Sequence, residues 1–441
     1  MRDSSNLITP NRILGNVYDA DYKFIYTGTQ FVDSGSLDAF GRLRVSNPTT
    51  LFDSKQVFDD GDLAASVENQ PLFYDNQETS GGGTSTAFNV NTADTTLSVS
   101  AETAGTRVRQ TKMRFNYQPG KSQLIFLTFT MATQGAGVTQ REGIFDEKNG
   151  IFLEDNGSEY RIVRRTYATG TAVDNAISQS DWSIDPMDGT GPSGITLDFT
   201  KTQIMIVDFE WLGVGRVRTG FVVDGIPYYC HEFLNTNNLS VVYMSTPNLP
   251  LRSEISNDGT GAAASMTQIC STVISEGGSD DLGVIRYAST NGTHVDLATE
   301  NTIYAVLGLR LKQNYLGASV KILTSAFQLH TASHQVEWML IYNPTVASTF
   351  TYVDEPNSAV QVARGATANT VTGGTKFVGG YIESGGNATG AAGSSEHGLQ
   401  NAVRLGSTIA GVSDTLVLCA RPIAGSSNVD IEGAITWREL S

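Results

Sequence analysis

From residue 203 to 212 the apolar side chains fall on every second position. Met205, Val207, Phe209 and Trp211 share one face, while Ile206, Asp208 and Glu210 share the other. Side chains alternate sides along a strand, so this pattern predicts a strand with a core face and a face that turns acidic toward its end. Runs of the same kind, bounded by Gly, Asn and Asp, recur along the chain. They predict strands at 95–101, 108–117, 122–132, 138–145, 150–154, 160–168, 195–198, 203–212, 216–223 and 226–233. After a break come 269–274, 282–287, 303–312, 320–329, 336–342, 350–353, 359–363, 415–420 and 429–437. No long segment keeps a 3.6-residue apolar period, so the pattern reads as all-β, two packed antiparallel sheets of short strands. No fixed-period repeat supports a propeller or a solenoid.

Two turns set the expected register in the densest stretch, VDFEWLGVGRVRTGFVVDG. Gly213-Val214-Gly215 suits a three-residue hairpin loop with Gly215 at the position that needs positive φ. Asp224-Gly225 is a two-residue hairpin signal. Together they predict a three-stranded meander. Trp211 then faces Val217, Phe209 faces Thr219, and a polar row runs Glu210–Arg218–His231. Pro227 implies an edge or interrupted third strand. The row reads either as an acid, a cation and a base in a cleft, or as a cross-strand charge ladder on a solvated face.

Residues 1–55 lack a sustained period. Leu37, Phe40, Arg42, Leu43, Arg44, Leu51 and Phe52 are candidate contacts of an extended N-terminal arm, the alternative being a segment folded back on its own domain. The expected organisation is an arm at 1–55, a β-sandwich at 56–260, and a second β-rich domain at 261–441, separate or continuous with the first. The polar stretch 255–265 is the candidate boundary, and 79–94 and 365–398 read as glycine-rich loops.

Composition sharpens this picture in a few places. Forty-five glycines among 441 residues disfavour helices. Twenty-nine Lys+Arg against 45 Asp+Glu give a formal charge of −16, which repels phosphate backbones and argues against nucleic-acid binding. No run approaches the length of a membrane helix, and the opening MRDSSNLITPNR has no signal-peptide core. Cys230, Cys270 and Cys419 are widely spaced and odd in number, which fits buried thiols of a reducing cytosol rather than disulfides or zinc.

Candidate chemistry is sparse. Laminarinase-type endo-glucanases carry an E-x-D-x-E strand, in which the first Glu is the nucleophile and the last the acid/base. Here Asp208 and Glu210 match the last two acids, but Ile206 stands in the nucleophile's place. His330 and His334 have zinc-ligand spacing only on a helix, and they fall between strands. Asp146, Glu147, Asn149, Glu154 and Asp155 are acidic enough for calcium but lack EF-hand spacing. Trp182 and Trp338 are either core or sugar platforms. The expectation is therefore no enzyme, no catalytic residue, no cofactor and no metal.

Two stretches carry a resemblance. SGSLDAFGRLRVSNPTTLFDSKQ (34–56), and the region from QPGKSQLIFLTFTM through GTGPSGITLDFTKTQIMIVDFEWLGVGRVRTGFVVDG to YMSTPNLPLRSEI, are similar to a family of tailed-bacteriophage virion proteins. The hairpin before the V-D-G turn also resembles lectin-like jelly rolls of the concanavalin/laminin-G type. The resemblance implies a virion surface component, either a head decoration or fibre or part of the tail adsorption apparatus. It would be made in host cytoplasm, anchored by its arm to capsid, neck or tail proteins, and form a homo-oligomer, with a trimer favoured. The alternative is a glycan-binding receptor module of a tail fibre or spike, and more remotely a jelly-roll glycan hydrolase. Neither nucleic-acid partners nor membrane insertion is expected.

Overall fold

A computed structural model describes residues 48–56, 73–280, 282–329, 334–383 and 404–440, together with a two-residue strand pair at Tyr18–Asp19 and Tyr22–Lys23. The chain is an all-β protein of jelly-roll type, an antiparallel β-sandwich followed by a second β-rich domain. Among the described residues the only helical turns are two 3-10 turns, Gln179–Asp181 and Gln313–Tyr315. None of their helices is long and apolar enough to cross a membrane.

Fifteen strands build the first sandwich. They are β1 (Thr49–Lys55), β2 (Tyr74–Gly81), β3 (Thr84–Asn89), β4 (Asp94–Val99), β5 (Gly105–Thr111), β6 (Gln123–Thr130), β7 (Val138–Phe145) and β8 (Gly150–Asp155). There follow β9 (Tyr160–Thr166), β10 (Val173–Ser178), β11 (Gln203–Phe209), β12 (Val217–Val223), β13 (Ile226–Phe233), β14 (Leu251–Asn257) and β15 (Ala264–Ser275). One sheet has seven strands in the order β10-β9-β8-β7-β14-β5-β2. The other has eight, ordered β13-β12-β11-β6-β15-β4-β3, with β1 also paired to β15.

The second domain holds β16 (Gly283–Ser289), β17 (Val295–Leu297), β18 (Tyr304–Leu311), β19 (Ser319–Leu329), β20 (Gln335–Tyr342), β21 (Val360–Arg364), β22 (Thr375–Glu383), β23 (Thr415–Ile423) and β24 (Val429–Leu440). These form a sheet along β16-β24-β19 and another along β21-β18-β23-β20-β22, each extended by a two-residue strand. Trp437, Ile435, Ile431 and Val429 of β24 pack with Leu309, Leu340 and Leu418 in its core. The Ile409 N–H donates to Asp75 Oδ2 at 2.7 Å and so ties the two domains together.

The layer between the two sheets of the first sandwich differs at its two ends. One end is apolar: Ile125, Leu127, Phe129, Met205, Val207, Phe209 and Phe221 are fully buried there with Trp182 and Phe199. The other end is built around Arg109, which is 0% exposed. Its Nε donates to Gln268 Oε1 (2.7 Å), Nη1 to Asn76 Oδ1 (2.9 Å) and Nη2 to Gln56 Oε1 (3.1 Å). The guanidinium lies 4.0 Å from the Tyr74 ring centre, and Tyr74 Oη meets Ser54 and Ser271 hydroxyls. Glu142 is buried in the same layer, with Arg109 as its counter-charge and the Ser253 hydroxyl beside it. Burial pushes its carboxyl up to about 8.

Several expectations need correcting. Leu51 and Phe52 belong to β1, and Phe52 is buried in the sandwich core, so these two residues are scaffold rather than arm. Leu37, Phe40, Arg42, Leu43 and Arg44 lie outside the described residues. The 255–265 break is no domain boundary, because β15 pairs with β6, β4 and β1 and completes the eight-stranded sheet. Residues 195–198 form no strand, only an isolated bridge between Asp188 and Thr196. Strands β2 and β14 were unexpected: their inward sides carry Asn76 and Ser253 beside the Arg109 layer, so no apolar alternation marks them. Cys230 and Cys419 are buried as expected, but Cys270 is exposed.

Candidate functional site

The two sheets present very different outer faces. On the seven-stranded sheet a single cross-strand row reads Arg161–Glu154–Arg141–Glu254, one residue from each of β9, β8, β7 and β14. Arg161 Nε reaches Glu154 Oε1 at 3.0 Å, Arg141 Nε reaches Glu154 Oε2 at 2.7 Å, and Arg141 also bonds Glu254. Arg252 continues the row to Glu254 and Glu147. Beneath these guanidinium groups lie the buried rings of Phe145 and Phe152. Every charge in this row has a partner of opposite sign.

The eight-stranded sheet is arranged otherwise. Met205, Val207 and Phe209 of β11 face the core, so Ile206 and Asp208 point outward. The outward row through Ile206 reads Tyr229–Gly220–Ile206–Phe126–Thr272. The adjacent row reads Glu232–Arg218–Asp208–Leu124–Ile274. Gly220 offers no side chain, and the Tyr229 ring crosses that gap. Its hydroxyl donates to Asp208 Oδ2 at 3.3 Å, and its ring centre lies 4.4 Å from the Arg218 guanidinium carbon. Arg218 Nε donates to the same Asp208 oxygen at 2.9 Å.

These groups are partly withdrawn from water. Burial, then the Asp208 charge, pushes the Tyr229 phenol up to about 12. Burial followed by the same charge raises the Glu276 carboxyl, which follows β15 at the edge of this patch. Leu124, Phe126 and Ile274 are half-buried around the ion pair, and Ile206 is only 1% exposed although its side chain leaves the core side. The patch is therefore an apolar, ring-bearing surface with one fixed carboxylate–guanidinium pair at its centre.

The expected polar row is shifted. Asp208, not Glu210, faces Arg218, and Phe209 faces Val217. The turn is longer than three residues: the Glu210 N–H donates to Arg216 O, and positive φ falls on Leu212 and Gly213 rather than Gly215. Gly215 is constrained differently, because a Cβ there would sit 2.1 Å from the Glu210 carbonyl oxygen. Asp224 and Gly225 both take positive φ in the second turn, with Val223 opposite Ile226 and Phe221 opposite Tyr228. An irregularity between Thr219 and Gly220 then moves His231 opposite Thr219, on the inward side. His231 Nδ1 accepts from the Ser183 N–H, and burial drives the imidazole down to about 4, so it stays neutral. Trp211 packs at the core margin with its Nε1 donating to Met244 O.

The remaining candidates are structural. Trp182 and Trp338 are core residues, packed on Phe221 and Phe327, and neither is a sugar platform. The acids of 145–157 are used internally: Asp146 pairs with Arg114, Glu154 with Arg141 and Arg161, and Asp155 accepts from Gln134 and Gln140. No group of three metal-ligating side chains occurs among the described residues. His330 lies outside them, and His334 is half-buried just before β20.

No family model matches this chain, and no curated protein matches it. Solved structures do. A Bacillus licheniformis beta-glucanase aligns at 9% identity over 47% of this chain and 94% of its own, with a TM-score of 0.32. The carbohydrate recognition domain of Emp47p aligns at 8% identity over 55% of this chain and 99% of its own, at 0.32. A pseudo beta-1,3-glucanase of Mycobacterium tuberculosis aligns at 13% identity over 51% and 98%, at 0.34. These likenesses concern architecture and nothing finer.

The resemblance to phage virion proteins is corrected here, since no family model supports it and what aligns is glucanases and a lectin-type domain. Virion partners, the trimer inferred from them and a location on the particle fall with it. The acids of a laminarinase-type strand are not assembled here. The nucleophile's place is filled by buried Ile206, Asp208 is held by Arg218, and Glu210 lies beyond the strand end, in the turn.

Proposed function

We propose that the first sandwich is a non-catalytic glycan-binding module whose contact surface is the outer face of the eight-stranded sheet around Tyr229, Asp208 and Arg218. One observation carries the reading: the Asp208–Arg218 pair with the Tyr229 hydroxyl sits among half-buried apolar side chains, Leu124, Phe126 and Ile274, on an outward face. Sugars present an apolar C–H face and a rim of hydroxyls. A ring beside a fixed carboxylate–guanidinium pair offers stacking area together with oriented acceptors and donors. The pair spends its charge internally, so the surface suits neutral sugars rather than strongly acidic ones. Without a free carboxylate pair flanking a bound glycosidic bond, binding leads to no cleavage.

The test is a glycan array with the intact protein, followed by titration of the best neutral ligand. Tyr229→Ala is expected to weaken binding roughly tenfold or more by removing the stacking ring. Absence of any glycan binding, or binding that Tyr229→Ala and Arg218→Ala both leave unchanged, would refute the reading.

A further inference from the structure

Strand β16 is apolar on both of its sides. Leu282, just before it, and Val284, Ile285 and Tyr287 within it are 61%, 57%, 55% and 71% exposed. The strand pairs along its whole length with β24, from Gly283 opposite Leu440 to Ser289 opposite Ala434. Among the described residues, its other backbone edge has no strand beside it.

An open, flat, apolar edge is a template for pairing with another strand, and proteins usually blunt such edges. Several other edges among the described residues are blunted. Strand β10 carries Asp174 paired to Arg165, β13 carries Pro227 and a bulge, and β2 is irregular between Glu78 and Ser80. Strand β22 has Lys376, the pair Gly379–Gly380 and its own irregularity. Strand β16 has none of these devices, and Arg286, its one charge, is engaged by Glu439 and the Asn357 carbonyl.

We propose that two copies of this chain associate through β16, edge to edge and antiparallel, about a two-fold axis at Ile285. The exposed parts of the four side chains amount to about 500 Å² per copy. Edge pairing covers the part of this area that borders the open edge, together with the backbone groups of that edge, an interface of no more than about 1,000 Å² in total that suits a reversible dimer. A two-fold axis keeps like faces together, so residues pair symmetrically about a centre. Centring on Ile285 sets Tyr287 across from Gly283 of the second copy, where the ring covers a residue without a side chain. The same register sets Val284 across from Arg286, and each Arg286 keeps its own Glu439. Centring one residue later would set Arg286 against its own copy, and like charges directly opposite are unfavourable. The pairing joins two five-stranded sheets, one from the second domain of each copy, into one continuous sheet.

Sedimentation velocity on the full chain tests this. The expected species at tens of micromolar has twice the 47.2 kDa chain mass. Ile285→Lys and Tyr287→Lys should each weaken association at least about tenfold while leaving the far-UV CD spectrum and thermal transition unchanged. On a Cys270→Ser background, Ile285→Cys should form a disulfide-linked dimer under mild oxidation and Ser289→Cys should not, because only the residue on the axis meets its own copy. A chain that stays monomeric to about 100 µM, a dimer that both lysine variants leave intact, or equal cross-linking at 285 and 289 would overturn the proposal.

Discussion

The two ends of the inter-sheet layer in the first sandwich do the same structural work by opposite means. At the apolar end, Phe209, Phe221, Met205 and Leu127 exclude water, and their stabilisation scales with buried area. At the polar end Arg109 is as buried as any phenylalanine, yet it contributes only because Gln268, Asn76, Gln56 and Tyr74 take up its donors and its charge. The first end tolerates substitutions that keep volume. The second tolerates almost none that change hydrogen-bonding capacity, because each lost partner strands another group.

The comparison is broken most sharply by Arg109→Met. It keeps much of the volume but orphans three side-chain acceptors, and is expected to cost about 3–5 kcal/mol in urea unfolding. Phe209→Ala at the other end should cost a similar amount, about 3–5 kcal/mol, through a cavity. Phe209→Leu should recover most of that loss, whereas Arg109→Lys should not recover its counterpart. If Arg109→Met proves neutral, the two ends do not differ in kind.

A smaller effect follows from Glu142. Its carboxyl titrates near 8 in the folded protein and near 4.5 when unfolded, so the native state holds the extra proton between those values. Stability contributed by the protonated form is full below about pH 4.5 and is lost as pH rises through about 8, by about 2–5 kcal/mol. Glu142→Gln should flatten this slope and leave the variant more stable than the parent at pH 9. Parallel profiles of the two proteins in guanidinium titrations from pH 5 to 9 would rule the linkage out.

Smaller still is the charged row on the outer face. Arg161→Ala removes one partly exposed member and leaves Glu154 with Arg141, so thermal unfolding should report a loss of about 1 kcal/mol or less. Smallest is Tyr229→Phe, expected to change stability by no more than about 0.5 kcal/mol while reducing sugar affinity through loss of its hydroxyl.

Much of the architecture was legible in the sequence because one face of most strands is apolar and the other is not. The alternation in Gln203–Phe209 and Val429–Leu440 marks those strands directly. The same logic hides Tyr74–Gly81 and Leu251–Asn257. Their inward positions hold Asn76 and Ser253, which are buried in the polar end of the layer and look like loop residues in a linear reading. At the candidate site, the aspartate, arginine and turn residues were identifiable, but their register was not. The loop after Phe209 spans more residues than Gly213 and Gly215 suggest, and a one-residue irregularity at Gly220 turns His231 inward. Tyr229 carried no signal of its own. It becomes significant only because that irregularity sends it outward, across Gly220, to Asp208.

The pairing of β1 with β15 has a consequence for how the chain acquires its structure. Phe52 and Val273 are register partners in neighbouring strands, and Thr272 Oγ1 bonds the Phe52 carbonyl across 220 positions of sequence. A ribosome must therefore deliver residue 275 before the eight-stranded sheet can close over Phe52, and contacts of such long sequence separation slow folding. Until then β6 offers an unsatisfied edge to whatever is nearby, which makes the nascent chain's period of greatest exposure to misassociation the interval between synthesis of β6 and β15. A fragment ending before Ala264, however well its other strands match, should be a client of chaperones rather than a folded unit.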